Sequence, residues 1–359
     1  MPCSKDISYK QTKGRGVPYN PPNRFESRNV EYDGDWLDEE TPVLPRTQFL
    51  ADTARSIFSH NESPDVGFDT SMNPYRGCEH GCVYCYARPT HEYFGLSAGL
   101  DFERVIFVKH QAPELLEKEF RKPGYAPRPI ALSGNTDPYQ PVERQLRLTR
   151  RLLEVMSRYR NPVIIVTKNA RVTRDLDYLT ELARWNAVRV VFSLTTLDAD
   201  LCSKLEPRTS RPALRLAAIS RLADAGIPVG VLVAPVIPGL TDHEIPSILS
   251  AARDAGARFA SYIVLRLPYS VKDMFADWLR THYPDRAEKV LNRIKAMRGG
   301  KLYDADFAQR HSGSGPFAHQ IKTLFEATAR RLGYAEPPAL STEHFRVPGP
   351  RQLSLFDLD

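Results

Sequence analysis

Three cysteines, Cys78, Cys82 and Cys85, fall within the segment NPYRGCEHGCVYCYAR, with the spacing C-x3-C-x2-C. The chain has five cysteines in all, the others being Cys3 and Cys202. An odd number with three bunched together does not make a disulfide framework, and in a reducing compartment such a bunch binds metal. Two ligand chemistries fit. One is a structural zinc ion that takes the three thiolates and either His80 or His91. The other is a cubane iron–sulfur cluster, which four thiolates would saturate and three leave with one open iron. Gly77 and Gly81 let the loop fold tightly around either. An open iron suits S-adenosylmethionine, whose amino and carboxylate groups can chelate it. An electron from the cluster can then break the sulfonium C–S bond and release a 5′-deoxyadenosyl radical.

With Tyr84 as the aromatic residue before the last cysteine, the segment resembles the signature of the radical S-adenosylmethionine superfamily. SGNTDPYQPVE, VTKN and VAPVIPGLTD extend the resemblance to the spore photoproduct lyase-like branch, from about residue 69 to 267. The resemblance implies a [4Fe–4S] cluster on Cys78, Cys82 and Cys85, S-adenosylmethionine as cofactor, and an electron donor such as flavodoxin or ferredoxin. It implies that Asn135, Thr136 and Asp137 hold the methionine end, with Asp137 accepting from the amino group, and it makes Tyr84 a further cofactor-binding candidate. Lys168 and Arg208 are candidates for the carboxylate, Ser193 and Thr195 for the ribose, Val236 and Ile237 for an apolar adenine slot, and Arg266 for the substrate. Asn-Thr-Asp-Pro is also good turn chemistry, so residues 135–138 have a structural reading as well. The branch acts on DNA lesions such as thymine dimers and uses a further cysteine as hydrogen donor. No cysteine lies between Cys85 and Cys202. Cys202, alternatively a buried inert thiol, and Tyr139 are therefore the candidate hydrogen donors, with Tyr86 and Tyr93 beside them.

A net charge of +6 on 359 residues suits a polyanionic partner. QLSLF at 352–356, behind a Val-Pro-Gly-Pro linker, resembles the peptide by which bacterial repair proteins dock on the sliding clamp. Gln352 would donate or accept hydrogen bonds there, and Leu355 and Phe356 would anchor in a groove. The arginines at 144, 147, 151 and 158 and the basic face of Arg286, Lys289 and Arg293 read either as phosphate contacts or as solvated helix faces. No apolar run reaches membrane-span length, and the N-terminus lacks an apolar stretch after its basic residues, so a cytoplasmic protein is expected.

These groups need a scaffold. Short β-rich runs at 105–108, 130–133, 163–167, 188–194, 228–234 and 259–265 alternate with amphipathic stretches at 113–120, 143–158, 175–184, 213–225 and 245–255. Such alternation predicts βαβ units with a parallel sheet. The fold expected is α/β, a partial (β/α)6 TIM-like barrel of the radical SAM type over residues 66–270. An irregular extension at 1–65, with one short helix at 47–58, precedes it. A helical extension at 271–343 follows, in which Val290, Leu291, Ile294 and Met297 point inward. A flexible tail at 344–359 ends the chain. In a barrel of this kind the motifs at strand ends lie on the ligand-binding face.

Overall fold

The computed structural model describes residues 14–26 and 46–349. Cys3 and the QLSLF segment lie outside the described residues. The strands are β1 (Gln48–Ala51), β2 (Phe58–His60), β3 (Thr70–Met72), β4 (Tyr75–Arg76), β5 (Val105–Val108), β6 (Ile130–Leu132), β7 (Val163–Thr167), β8 (Val188–Leu194), β9 (Val229–Val236) and β10 (Phe259–Val264). Seven form one sheet in the order β10-β9-β8-β7-β6-β3-β2. From β3 to β10 every neighbour is parallel, and β2 is an antiparallel edge. The result is a six-stranded parallel half-barrel whose sheet does not close.

Two expectations about this sheet change. The run at 105–108 is a strand, yet it pairs with β1 and β4 in a separate three-stranded sheet. The first barrel strand is instead Thr70–Met72, three wholly buried residues immediately before the cysteine segment. The expected helix at 47–58 is absent. Residues 48–51 extend beside β5 and satisfy their backbone groups across that ladder, and residues 58–60 cap the main sheet.

Helices α1 (Leu100–Arg104), α2 (Ala112–Phe120), α3 (Glu143–Leu146), α4 (Leu148–Tyr159), α5 (Leu176–Arg184), α6 (Ala199–Leu205), α7 (Pro212–Asp224) and α8 (Ile245–Asp254) connect the strands. Along β8, Val188, Val190, Phe192 and Leu194 alternate onto one buried face, as the two-residue strand period requires. Leu152, Val155 and Met156 of α4 are buried in the same core, while Leu148 packs with Tyr75, Ile106 and Val108 in a smaller one. The stretch expected as one helix at 143–158 is broken by Arg147, whose φ of 52° ends α3 and starts α4. Two of its arginines are taken by α2: Arg151 pairs with Glu114 and Arg158 with Glu117.

Helices α9 (Val271–His282), α10 (Pro284–Ala296) and α11 (Gly315–Arg331) form the C-terminal extension, with Val290, Leu291, Ile294 and Met297 buried as expected. From α11 to residue 349 the chain does not leave the body. It crosses the N-terminal ends of the strands, where Ala335, Ser341 and Arg346 donate backbone hydrogen bonds to Arg258, Asn186 and Tyr159. Phe345 then packs among Phe120, Tyr125 and Tyr159. Among the described residues no helix is long and apolar enough to cross a membrane.

Candidate active site

The cysteine loop follows β3 at the C-terminal edge of the half-barrel, the edge where the other strands also end. Gly77 and Gly81 take left-handed conformations, φ 79° and 69°, and let the chain turn back on itself twice in five residues. Arg88, fully buried, props the loop from behind. Its guanidinium donates to the carbonyls of Cys82 (3.0 Å) and Gly99 (2.8 Å) and pairs with Glu103. Glu103 also accepts from the backbone amides of Gly16 (3.0 Å) and Val17 (3.1 Å), which draws the N-terminal segment under the loop. On the other flank Gln140 accepts from the amide of Glu79 (2.9 Å) and donates to the carbonyl of Gly77 (3.2 Å).

All three thiols are free, Cys78 and Cys82 buried and Cys85 partly so. Burial, helped by the charge of Asp137, pushes the Cys78 thiol up to about 12, and burial likewise raises Cys82 and Cys85. Thiols so placed become thiolates only against a bound cation. A single zinc would need its donors to meet about 2.3 Å from one point. Among the described residues no three His, Cys, Asp or Glu side chains do so. Both candidate fourth ligands are also engaged. His91 donates through Nε2 to the carbonyl of Val105 (2.8 Å), and His80 sits between Asn169 (3.2 Å) and Asp137 (3.5 Å). Three thiolates are the donor set that a cubane cluster would take from the protein, one per iron.

The profile described as the Radical SAM superfamily matches residues 72–252, half of the chain and the span that carries this loop and four of the six parallel strands, β6 to β9. The chain belongs to the radical SAM superfamily. An uncharacterized protein of Mycobacterium tuberculosis is 36% identical over 220 residues, 61% of this chain and 65% of its own length. One from Methanocaldococcus jannaschii is 27% identical over 227 residues, 63% of this chain and 81% of its own. This chain therefore spans just under two thirds of the mycobacterial protein. Among solved structures, spore photoproduct lyase complexed with dinucleoside spore photoproduct superposes with a TM-score of 0.52 at 17% identity, covering 80% of each chain. That likeness is one of fold. Membership of the radical SAM superfamily implies S-adenosylmethionine and an iron–sulfur cluster, and the cysteine loop has the donors for the latter.

Three of the pocket residues expected from sequence, Tyr84, Lys168 and Thr195, gather around a group that was not singled out, Glu206. One carboxylate oxygen accepts from Tyr84 and faces Thr195 (2.5 Å) and Lys168 (3.2 Å); the other pairs with Arg215. Burial works against the Glu206 charge, yet Arg215 and then Lys168 hold its carboxyl far below the usual carboxylate range. Lys168 Nζ reaches Ser193 Oγ (2.7 Å) and the Ala234 carbonyl (3.0 Å) as well. Its three hydrogens thus already have partners, and a cofactor carboxylate would displace one of them. Ser193 and Thr195 also turn inward, each within 2.9 Å of the Ala234 carbonyl, so neither hydroxyl is presented to a ribose.

Other expectations shift for similar reasons. Asp137 spends both oxygens holding the strand ends together: it accepts from the amides of Tyr139 (2.8 Å) and Lys168 (2.7 Å) and from Thr167 (2.8 Å). These are the bonds that the turn chemistry of 135–138 provides for, and Thr136 likewise donates inward to the Gly77 carbonyl (2.8 Å). Asn135 alone of the three exposes its side chain. Arg208 points to Glu79 of the cysteine loop (3.1 Å), away from Lys168. Val236 and Ile237 are shut off, with the Val236 carbonyl accepting from Leu265 and the Ile237 amide donating to Thr241, so they back the sheet and line no open slot.

The two candidate hydrogen donors also lie apart from the mouth. Tyr139 is fully buried, its hydroxyl donating to Asp175 (3.1 Å) behind the sheet. Cys202 packs against Arg215 and the far oxygen of Glu206, whose carboxylate separates the thiol from Tyr84 and Lys168. Burial, then Glu206, raises that thiol to about 11. Tyr86 is different: it follows Cys85 directly, is exposed, and donates to the Gly134 carbonyl (2.5 Å) across the mouth. Nothing in the sequence pointed to Glu206, Arg215 or Arg88 beyond their being charged residues inside or beside apolar motifs.

Proposed function

We propose that this chain is a [4Fe–4S] radical SAM enzyme that reductively cleaves S-adenosylmethionine and acts on DNA, reversing a lesion as a lyase does. The observation that carries the reading is the buried, doubly buttressed C-x3-C-x2-C loop at the C-terminal edge of a parallel half-barrel, with its three free thiols. When bound, the cluster and S-adenosylmethionine supply one-electron cleavage of the sulfonium C–S bond and a 5′-deoxyadenosyl radical. The protein's own part is to hold the three thiolates, exclude water and keep polar partners near. Arg88, Glu103 and Gln140 fix the loop; Tyr84, Lys168 and Glu206 form the polar floor beside it; Asn135 offers an exposed amide. Tyr86, the residue directly after the third cysteine and open to the mouth, is the hydrogen-atom relay that the geometry favours over Tyr139 and Cys202.

DNA as substrate is supported by the net positive charge of +6 and by the fold shared with spore photoproduct lyase. The sliding clamp, reached through Gln352 to Phe356, and a flavodoxin or ferredoxin as electron donor complete the reading. The test is iron, sulfide and zinc content of anaerobically purified protein, with EPR of the reduced sample before and after adding S-adenosylmethionine. About four irons per chain and a spectrum perturbed by the cofactor are expected, followed by 5′-deoxyadenosine release and loss of thymine lesions from irradiated DNA. One zinc per chain after reconstitution with iron and sulfide has failed would sink the radical reading. A perturbed spectrum with irradiated DNA left unrepaired would remove DNA repair and keep the radical chemistry.

A further inference from the structure

Soluble proteins scatter exposed aromatic rings singly, and a cluster of them marks a binding surface. On this face three such rings gather around Arg24, with Tyr93 70% exposed, Tyr269 58% and Phe25 56%, and a fourth, Tyr86, 46% exposed, stands under Arg266 at the mouth. They come from three separate segments. Phe25 lies on the N-terminal segment, Tyr86 and Tyr93 beside the cysteine loop, and Tyr269 on the loop after β10. Phe25 and Tyr93 are 5.0 Å apart between centroids. The guanidinium of Arg24, itself paired with Glu92, sits 4.6 Å from the Phe25 ring, 5.6 Å from Tyr93 and 3.7 Å from Tyr269. Tyr269 presents its ring from a left-handed backbone, φ 50°, a conformation that costs an aromatic residue energy and that burial of the ring does not repay.

Three residues before Tyr269, Arg266 has no carboxylate within ion-pair reach among the described residues. Its guanidinium stacks over Tyr86 at 4.9 Å, and its Nε is buried without a hydrogen-bond partner. Its Nη1 donates to His311 Nε2 (2.9 Å), which leaves the ring proton on Nδ1, facing Asp65 at 3.4 Å. Asp65 and His311 therefore aim an uncompensated cation at the mouth, next to the tyrosine that follows the third cysteine.

We infer that this face is a nucleic-acid platform on which unstacked bases of a single-stranded or locally opened DNA segment stack against Tyr93, Phe25 and Tyr269, while Arg266 takes a phosphate. Flat rings accept any base face, and an unpaired guanidinium neutralises a phosphodiester, which together read opened strands and not the outside of a duplex. Such a grip suits an enzyme whose radical must reach an atom hidden within stacked DNA. The inference rests on the DNA reading above and adds to it the form of the DNA and the residues that hold it.

The test is fluorescence anisotropy of the reconstituted full chain with a short labelled oligothymidylate, the same strand annealed to its complement, and an oligouridylate, each titrated over a range of salt. The wild type should bind the single strand more tightly than the duplex. Tyr269→Asn removes the ring while tolerating the left-handed backbone, so the fold is kept; it should weaken single-strand binding about 10-fold without altering the salt slope. Arg266→Gln should lower the slope of log K against log salt by about 0.7, the signature of one lost phosphate contact, and Arg266→Lys should restore it. Wild-type binding that neither substitution changes overturns the platform and leaves the DNA reading standing. Binding of the duplex alone overturns the opened-strand form, and binding of oligouridylate alone overturns DNA as the occupant. A wild type that binds none of the three removes the DNA reading, and this inference with it.

Discussion

Single residues set two of the molecule's pH and stability properties. His91 is fully buried between Phe102 and Phe107, donating from Nε2 to a carbonyl, with Nδ1 facing no partner. Burial pushes it down to about 4, because a second ring proton would be an unpaired buried donor. The unfolded histidine takes up its proton near 6.5, so the contribution is present above that value and is lost as pH falls toward 4. Stability should therefore drop by about 3 kcal/mol more in the wild type than in His91→Gln between pH 7 and pH 4. Urea unfolding of both proteins across that range checks it, and parallel pH profiles would refute it. Glu206 makes the second case. Its carboxylate stands between two cations, Arg215 wholly buried, so Glu206→Gln leaves a buried charge uncompensated. The expected cost is about 3–5 kcal/mol in the unfolding free energy. Lys168→Met, which takes away one of the two cations, should lose less, since Arg215 still answers the carboxylate. Glu206 went unread in the sequence because a lone glutamate before Pro207 has no pattern. Its importance comes from residues 84, 168, 195 and 215, which only the fold brings to it.

Elements show which parts of a fold a sequence encodes locally. Strands β6 to β10 were readable because each is a run of β-branched or other apolar residues bounded by Gly, Pro or charged residues. The first barrel strand, Thr-Ser-Met, was not, since three residues carry no period. The run at 105–108 was readable as a strand but not as to its partner, because register and sheet membership are set by tertiary contact. The turn at 135–138 shows the same ambiguity in the site: its polar residues fit cofactor binding and loop closure equally, and Asp137 and Thr136 make hydrogen bonds that close the loop. At this scale the N-terminal segment tests how the cysteine loop is held. A Cβ on Gly16 would land on the carbonyl oxygen of Gly81, a backbone atom that cannot turn aside. Gly16→Ala should therefore lift the segment off Glu103. Faster amide exchange is expected at residues 15–19, together with lower iron retention after desalting, while the melting transition of the barrel shifts by only a few degrees. Unchanged exchange in that segment would show that the strap is not what seats the loop.

At the scale of the whole molecule the question is how an unclosed half-barrel keeps its shape, since β2 and β10 are the two end strands of one sheet and do not pair with each other. The answer lies in two loops that meet across the gap. Residues 61–69 lead from β2 to β3. Residues 304–312 are fastened to β10 by the amide of Val264 donating to the His311 carbonyl (2.8 Å), and by buried Arg298, which donates to the carbonyls of Leu265 (3.0 Å), Gln309 (2.5 Å) and Arg310 (2.9 Å). Asp65 joins the loops: Arg310 grips it with Nε and with Nη2 (2.6 Å), and both side chains are largely withdrawn from water. Arg310, with His311 beside it, holds the Asp65 carboxyl below the usual carboxylate range. A two-pronged, mostly buried pair is worth more than a surface one, and its partners lie far apart in sequence, so it links the sheet's two ends. Asp65→Asn and Arg310→Gln should each lower the unfolding free energy by about 2 kcal/mol, and the double variant should cost little more than either alone, a coupling of about 1–3 kcal/mol. Strictly additive costs in urea unfolding would mean that the pair does not tie the edges. Because Asp65 also steadies His311, and His311 steadies Arg266, opening this bridge should loosen the mouth along with the sheet. Amide exchange at residues 264–268 should rise in Asp65→Asn, and that rise would mark the latch of the barrel as also the frame of its substrate face.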